Sequence, residues 1–159
     1  TENNLLSYES LSVKAAEASA RFHALSAQIK AAEKRMAEIA MLRTHIINYS
    51  KTRDVYVAYR KAGYSKKFYE EHTADLLLHK AAKQAFDALA SKKLPTVKAL
   101  NIEYAELLAA KKKAFTEYTS ARAEMRKVLA VKANVEKILE RDKNIDTAII
   151  FAENSLKDL

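Results

Sequence analysis

Apolar residues recur along the first third of the chain in alternating steps of four and three. Leu11, Ala15, Ala18, Phe22, Leu25, Ile29, Ala32, Met36 and Ile39 follow this rule without a gap. Such alternation is the heptad pattern of a coiled-coil seam. The seam continues through Leu42, Ile46, Tyr49 and Tyr56, and the two consecutive three-residue steps at Met36–Ile39–Leu42 predict local overwinding. A long helix is therefore expected over about residues 8–61, stopped by Gly63, with Arg60 and Lys61 in its last turn where cations suit the helix dipole. From Leu11 to Lys61 it would measure about 75 Å.

A second seam opens at Val97 and steps through positions 100, 104, 107, 111, 114, 118, 121, 125, 128, 132, 135 and 139. All are apolar except Lys111 and Lys132, whose long stems are expected to snorkel out of the seam. This predicts a second long helix over about 96–141, with Thr96 as its N-cap. The two seams predict an all-α fold, an elongated antiparallel coiled-coil hairpin in which Phe22, Leu25, Ile29 and Met36 face residues near Val135, Val128, Met125 and Tyr118. Between them, residues 64–94 form a basic helical tip. Ser65 is expected to cap a short helix, Lys66 to Glu71. Thr73 is expected to cap another, running to about Leu89 with Leu76, Leu77, Ala81, Ala85 and Phe86 on its inner side. A basic loop from Ser91 to Leu94 ends at Pro95. Over 142–159 the heptad lapses, and Ile145, Ile149, Ala152, Leu156 and Leu159 predict a short amphipathic tail helix.

Composition sharpens this picture. One glycine and one proline in 159 residues leave almost no material for the tight turns of a sheet protein. With no cysteine there is no disulfide framework, zinc knuckle or thiol nucleophile. No apolar run is long enough to span a bilayer, so no membrane role is expected. The chain begins at Thr1 without an initiator methionine and reads as a piece of a larger protein. Its net charge of +8 is concentrated. Residues 51–98 carry 11 Lys/Arg against 5 Asp/Glu, whereas each flank is nearly balanced. Localised basic charge is the footprint of a polyanionic partner.

Candidate chemistry is sparse. His23, His45, His72 and His79 have no metal-ligand spacing, and the expectation is helix-surface or seam histidines with no metal and no cofactor. Carboxylates such as Glu33 and Glu136 have Lys30 and Lys132 one turn away and read as solvated ion pairs. No nucleophile has a base beside it, and one glycine cannot build a phosphate loop, so no catalytic residue is assigned. The constellation that stands out runs from Lys51 to Tyr69. Here Lys51, Arg53, Arg60, Lys61, Lys66 and Lys67 interleave with Tyr56, Tyr59, Tyr64, Phe68 and Tyr69, and Lys92 and Lys93 follow in the basic loop. Cations neutralise phosphates and aromatic faces stack on unpaired bases. The competing reading, that the aromatics form the tip's own core, is favoured for the rings.

Three stretches carry a resemblance: EKRMAEIAMLRTHIINYSKTRDVYVAYRKAGYSKKFYEEH (33–72), LHKAAKQAFDAL (78–89) and LPTVKALNIEYAELLAAKKKAFTEY (94–118). They resemble the C-terminal helical region of relaxases, the mobilisation nucleases of conjugative and mobilisable elements of Firmicutes, over about residues 1–141. Relaxases nick DNA with a tyrosine nucleophile and a metal-binding histidine cluster in an N-terminal domain. This chain carries neither the histidine cluster nor the surrounding sheet, and no catalytic residue transfers. The resemblance implies a non-catalytic accessory domain in the bacterial cytoplasm. Its implied partners are single-stranded or origin DNA, or other transfer proteins. The alternatives are a coiled-coil spacer or oligomerisation module without nucleic-acid contact, and an adaptor whose seam opens to a partner helix.

Overall fold

The structure, a computed structural model, describes residues 2–91 and 93–158, with side chains from Ser7 onward. It is all-α: α1 (Glu2–Lys61), α2 (Lys66–Glu71), α3 (Thr73–Asp87) and α4 (Val97–Lys157). All the expected seam positions from Leu11 to Tyr56 and from Val97 to Leu139 are buried or half-buried. Lys111 and Lys132 keep to the seam by snorkelling, with their ammonium groups 3.1 Å from Glu33 and 3.8 Å from Glu136. Glu33 thus pairs across the helices with Lys111, not along its own helix with Lys30, because Lys111 reaches out of the seam beside it.

Two compact units share α1 and α4. In the first, Thr1–Ile29 with Lys113–Leu159, the core is Leu25, Ala114 and Ala121 with Ile29 and Tyr118 packed against it. Tyr8 donates to Glu136 at 2.7 Å and Phe22 stacks on Tyr118 at 4.9 Å between ring centroids, so low α1 numbers meet high α4 numbers and the helices run antiparallel. In the second, Lys30–Lys112, Ile39, Leu42 and Leu100 form the core, flanked by Ile46, Phe86, Leu89, Tyr104 and Leu107. Arg35 grips Glu103 through two nitrogens, at 2.7 and 3.1 Å, and Arg43 donates to Asn101 at 2.7 Å, again antiparallel.

The register differs from the expected one. Phe22 meets Tyr118 instead of the neighbourhood of Val135, and Leu25 meets Ala114 and Ala121 instead of Val128. The expectation aligned the end of α1 with the start of α4. In the second unit the last turns of α1 instead pack on α3, where Tyr49, Thr52 and Tyr56 meet His79 and Phe86. Only the part of α1 before them is left for α4, which shifts the pairing.

Local chemistry explains the breaks. Gly63 takes φ 66°, its N–H bonds the Arg60 carbonyl at 3.1 Å, and the Tyr64 N–H bonds the Tyr59 carbonyl at 3.0 Å. This pair of bonds closes a helix through a left-handed residue, the position where glycine avoids the Cβ clash. Ser65 caps α2 as expected, its Oγ accepting from the Phe68 N–H at 3.3 Å. Thr96 Oγ1 likewise accepts from the Ala99 N–H at 3.1 Å.

Three local expectations are corrected. The N-cap of α3 is His72, not Thr73, because α2 and α3 are separated by that single residue and Thr73 is already helical, its hydroxyl donating to the Tyr69 carbonyl. The buried face of α3 is Leu76, His79 and Ala82, which leaves Leu77 and Ala81 exposed. A polar residue within the stripe disguised that face. Finally, α4 does not end near Arg141 but runs on to Lys157. No glycine or proline interrupts it, and loss of the heptad removes a packing partner, not helix propensity. From Glu140 onward every described residue is exposed.

Candidate nucleic-acid interface

The last turns of α1, with α2, α3 and the loop after α3, gather the basic residues singled out in the sequence. Lys51, Arg53, Arg60, Lys61, Lys66, Lys67 and Lys93 are all exposed. Lys92 lies outside the described residues. Only Lys66 approaches a carboxylate, Glu70 at 4.0 Å, with its own side chain 91% exposed. Among the described residues the other six meet none. Their charge is therefore uncompensated within the fold and available to an external anion.

The aromatics divide. Tyr56, Tyr59 and Phe68 are half-buried, and Phe68 stacks on His72 at 4.2 Å. Tyr59 is the hub, with Tyr64 edge-on at 5.3 Å, Phe68 at 5.9 Å and Tyr69 at 6.1 Å. Tyr64 and Tyr69 stand in solvent, Tyr64 at 55% exposure. Tyr56, Tyr59 and Phe68 thus serve the tip's core, while Tyr64 and Tyr69 present open ring surface.

A histidine expected only to lie on a helix surface or in a seam organises this region. His79 is 3% exposed and its imidazole is slotted between Tyr49 and Tyr56, with centroids 4.6 and 4.5 Å away and nearly parallel rings. The tyrosines stand seven residues apart on α1, two helical turns, which spaces them to hold one ring between them. Thr52, midway and equally buried, lies 3.0 Å from His79 Nδ1. The Thr52 hydroxyl has one proton and points it at the Asn48 carbonyl, 2.6 Å away. It therefore accepts from Nδ1–H, and Nε2 carries the free lone pair. Burial first, and then the Lys83 ammonium, hold the imidazole's pKa below the ordinary histidine value, so the ring is neutral near pH 7.

A groove of about 350 Å³ opens beside this slot, lined by Tyr56, Tyr59, Tyr69, Leu76, Leu77 and His79, with Lys80 and Lys83 completing the wall. The signal for it in the sequence was the heptad pair Tyr49 and Tyr56 with Thr52 between them, facing a stripe of α3 that contains a histidine. A larger groove of about 660 Å³ lies in the first unit along Leu11, Ala18 and Val128, beside the Arg21–Glu124 pair. It holds no aromatic ring and no unpaired cluster of one sign. Among the described residues no three His, Asp or Glu side chains group to hold a metal ion, and no helix is long and apolar enough to cross a membrane. No family model, curated protein or solved structure matches the chain.

Proposed function

We propose that this chain is a non-catalytic helical module that binds DNA through its basic tip, serving a DNA-processing protein of the relaxase type. The observation that carries the reading is the cluster Arg60, Lys61, Lys66 and Lys67 around the Gly63 turn, exposed and, but for one long contact, without a carboxylate partner among the described residues. Concentrating six positive charges of excess in one segment costs self-repulsion. A spacer would gain nothing from that cost, whereas a phosphate-binding surface gains counterion release. The resemblance of residues 33–72, 78–89 and 94–118 to relaxase C-terminal regions is the ground for the relaxase part of the reading. The module acts by binding in this reading.

Anisotropy titration of labelled single- and double-stranded DNA at low salt is the test. The intact chain should bind at least one form. Replacing Arg60, Lys61, Lys66 and Lys67 with Gln should remove most of the affinity with helicity unchanged. No binding to either form at low salt would reject the proposal. DNA cleavage by the chain, abolished by a point mutation within it, would reject its non-catalytic part.

A second reading rests on α4 beyond Glu140. Ile145, Ile149, Ile150, Phe151 and Leu156 are exposed there, with Phe151 at 74%, and exposed apolar stripes mark protein contacts. In that reading the module docks another protein through this helix and makes no DNA contact. Binding of a protein partner that survives the four tip substitutions and is lost with Phe151→Glu would favour it.

A further inference from the structure

We infer that the groove beside His79 seats one unpaired nucleotide. Its base would lie against the tyrosine rings and donate an N–H to His79 Nε2, with its phosphate at Lys80 and Lys83. The inference rests on the DNA-binding reading above and adds a place, a mode and a donor requirement to it.

Three observations converge on the groove. Its volume of about 350 Å³ lies at the small end of the range for ligand pockets, about 300–1,000 Å³, where one nucleotide fits. Its walls alternate in chemistry: the rings of Tyr56, Tyr59 and Tyr69 and the side chains of Leu76 and Leu77 suit a flat apolar face, and two ammonium groups suit an attached anion. The third observation is the histidine. Among the described residues the one buried side-chain nitrogen or oxygen without a partner is His45 Nδ1. His79 Nε2 has no hydrogen-bond partner among the described residues, and His79 lines the groove. Its partner atom Nδ1 is committed to Thr52, which fixes the tautomer and makes Nε2 an acceptor held rigid between two stacked rings.

A rigid acceptor beside aromatic faces asks for a planar ligand with an N–H at its edge. The amino groups of adenine, cytosine and guanine meet that demand. A base in a duplex has these groups paired and its faces stacked, so the occupant is unpaired. Tyr69, at 36% exposure, is the ring with surface to spare for stacking. Lys80 is exposed, and Lys83 lies close enough to His79 to influence its titration, so their charge reaches the same small volume.

The test compares three single strands of equal length and charge on the full chain: oligodeoxyadenylate, an abasic strand, and a strand of N6,N6-dimethyladenine, which stacks but cannot donate. The intact protein should bind oligodeoxyadenylate about tenfold more tightly than the abasic strand, the gain expected from stacking one base. The dimethylated strand should fall between. Tyr69→Ala, a change at an exposed ring, should erase most of the preference. Lys80→Gln with Lys83→Gln should weaken all three strands alike. His79→Phe keeps the ring stack and removes the acceptor, so the adenine and dimethyladenine strands should then bind equally. Equal binding of adenine and abasic strands by the intact chain would overturn the seat and leave the DNA-binding reading standing. A preference that survives Tyr69→Ala would place the seat elsewhere and also overturn it. No binding of any strand at low salt would overturn both.

Discussion

The α1–α4 seams and the basic tip use the same cations in opposite ways. Along the seams Arg21, Arg35 and Lys111 each meet a carboxylate on the facing helix, and Lys132 meets Glu136 on its own. Arg43, lacking a carboxylate, donates to Asn101 and lies 5.1 Å over the Tyr104 ring. In the tip Lys51, Arg53, Arg60, Lys61 and Lys67 meet no carboxylate among the described residues. The cores differ too. The buried seam clusters are Ala, Leu and Ile, with rings such as Tyr118 and Tyr104 at their margins, while the tip is closed by stacked Tyr, Phe and His rings. Charge along the seams is paired within the fold, and in the proposed reading the unpaired charge of the tip serves an external anion.

The sharpest way to break this contrast is to damage the seam. Ile39 is fully buried, and Ile39→Ala should cost about 2–5 kcal/mol in a urea titration. Ile149→Ala, on the exposed part of α4, should stay within about 0.5 kcal/mol. DNA affinity per folded molecule should be untouched by either. A large loss at Ile149 would mean that the end of α4 is covered by something that contributes to stability, such as a second copy.

The next effect lies in the tip. His79 holds its proton less tightly in the fold than in the unfolded chain. As pH falls through the unfolded value of about 6.5, the unfolded state therefore takes up more protons. The stability contribution is complete above that pH and declines below it until the lowered folded value is passed. The amide-exchange protection factors of α3, taken relative to the intrinsic rate at each pH, should fall between pH 7 and acid conditions in the wild type, and much less in His79→Phe. The same fall in both would show that another group governs the tip.

The smallest effect belongs to the seam pair Arg35–Glu103. Both side chains are about two-fifths exposed, so a double-mutant cycle should give about 0.2–1 kcal/mol, shrinking with added salt. The hydrogen bond from Arg35 holds the Glu103 carboxyl below its ordinary value. The coupling is present above the unfolded value of about 4.3 and is lost as pH falls through the folded one. A coupling that persists at pH 2 would not be ionic.

Much of this architecture was legible in the sequence because period and punctuation are local. Every heptad position of α1 and α4 is buried or half-buried, though the buried Thr52 was not among them, and Gly63, Ser65 and Thr96 marked real boundaries. Register was not legible. It depends on how many turns of α1 the tip consumes, and that is decided by the slot of Tyr49, Thr52 and Tyr56 around His79, a long-range contact. The slot itself was hidden because a histidine within an apolar stripe reads as an interruption until its partners are known. The end of α4 was misplaced for the converse reason. Its helix outlasts its seam, and a heptad reports the partner, not the helix.

The most direct measurement is the slope of log K against log salt for DNA binding. It should be taken for the intact chain, for Arg60, Lys61, Lys66 and Lys67 changed together to Gln, and for Lys111, Lys112 and Lys113 changed together to Gln. Each phosphate contact contributes about −0.7 to −0.9 to that slope, so the tip change should flatten it by about 3 units. The seam-helix change should leave it nearly as it was. Equal flattening by both changes, or by neither, would contradict the account, because charge placement would then not select the partner.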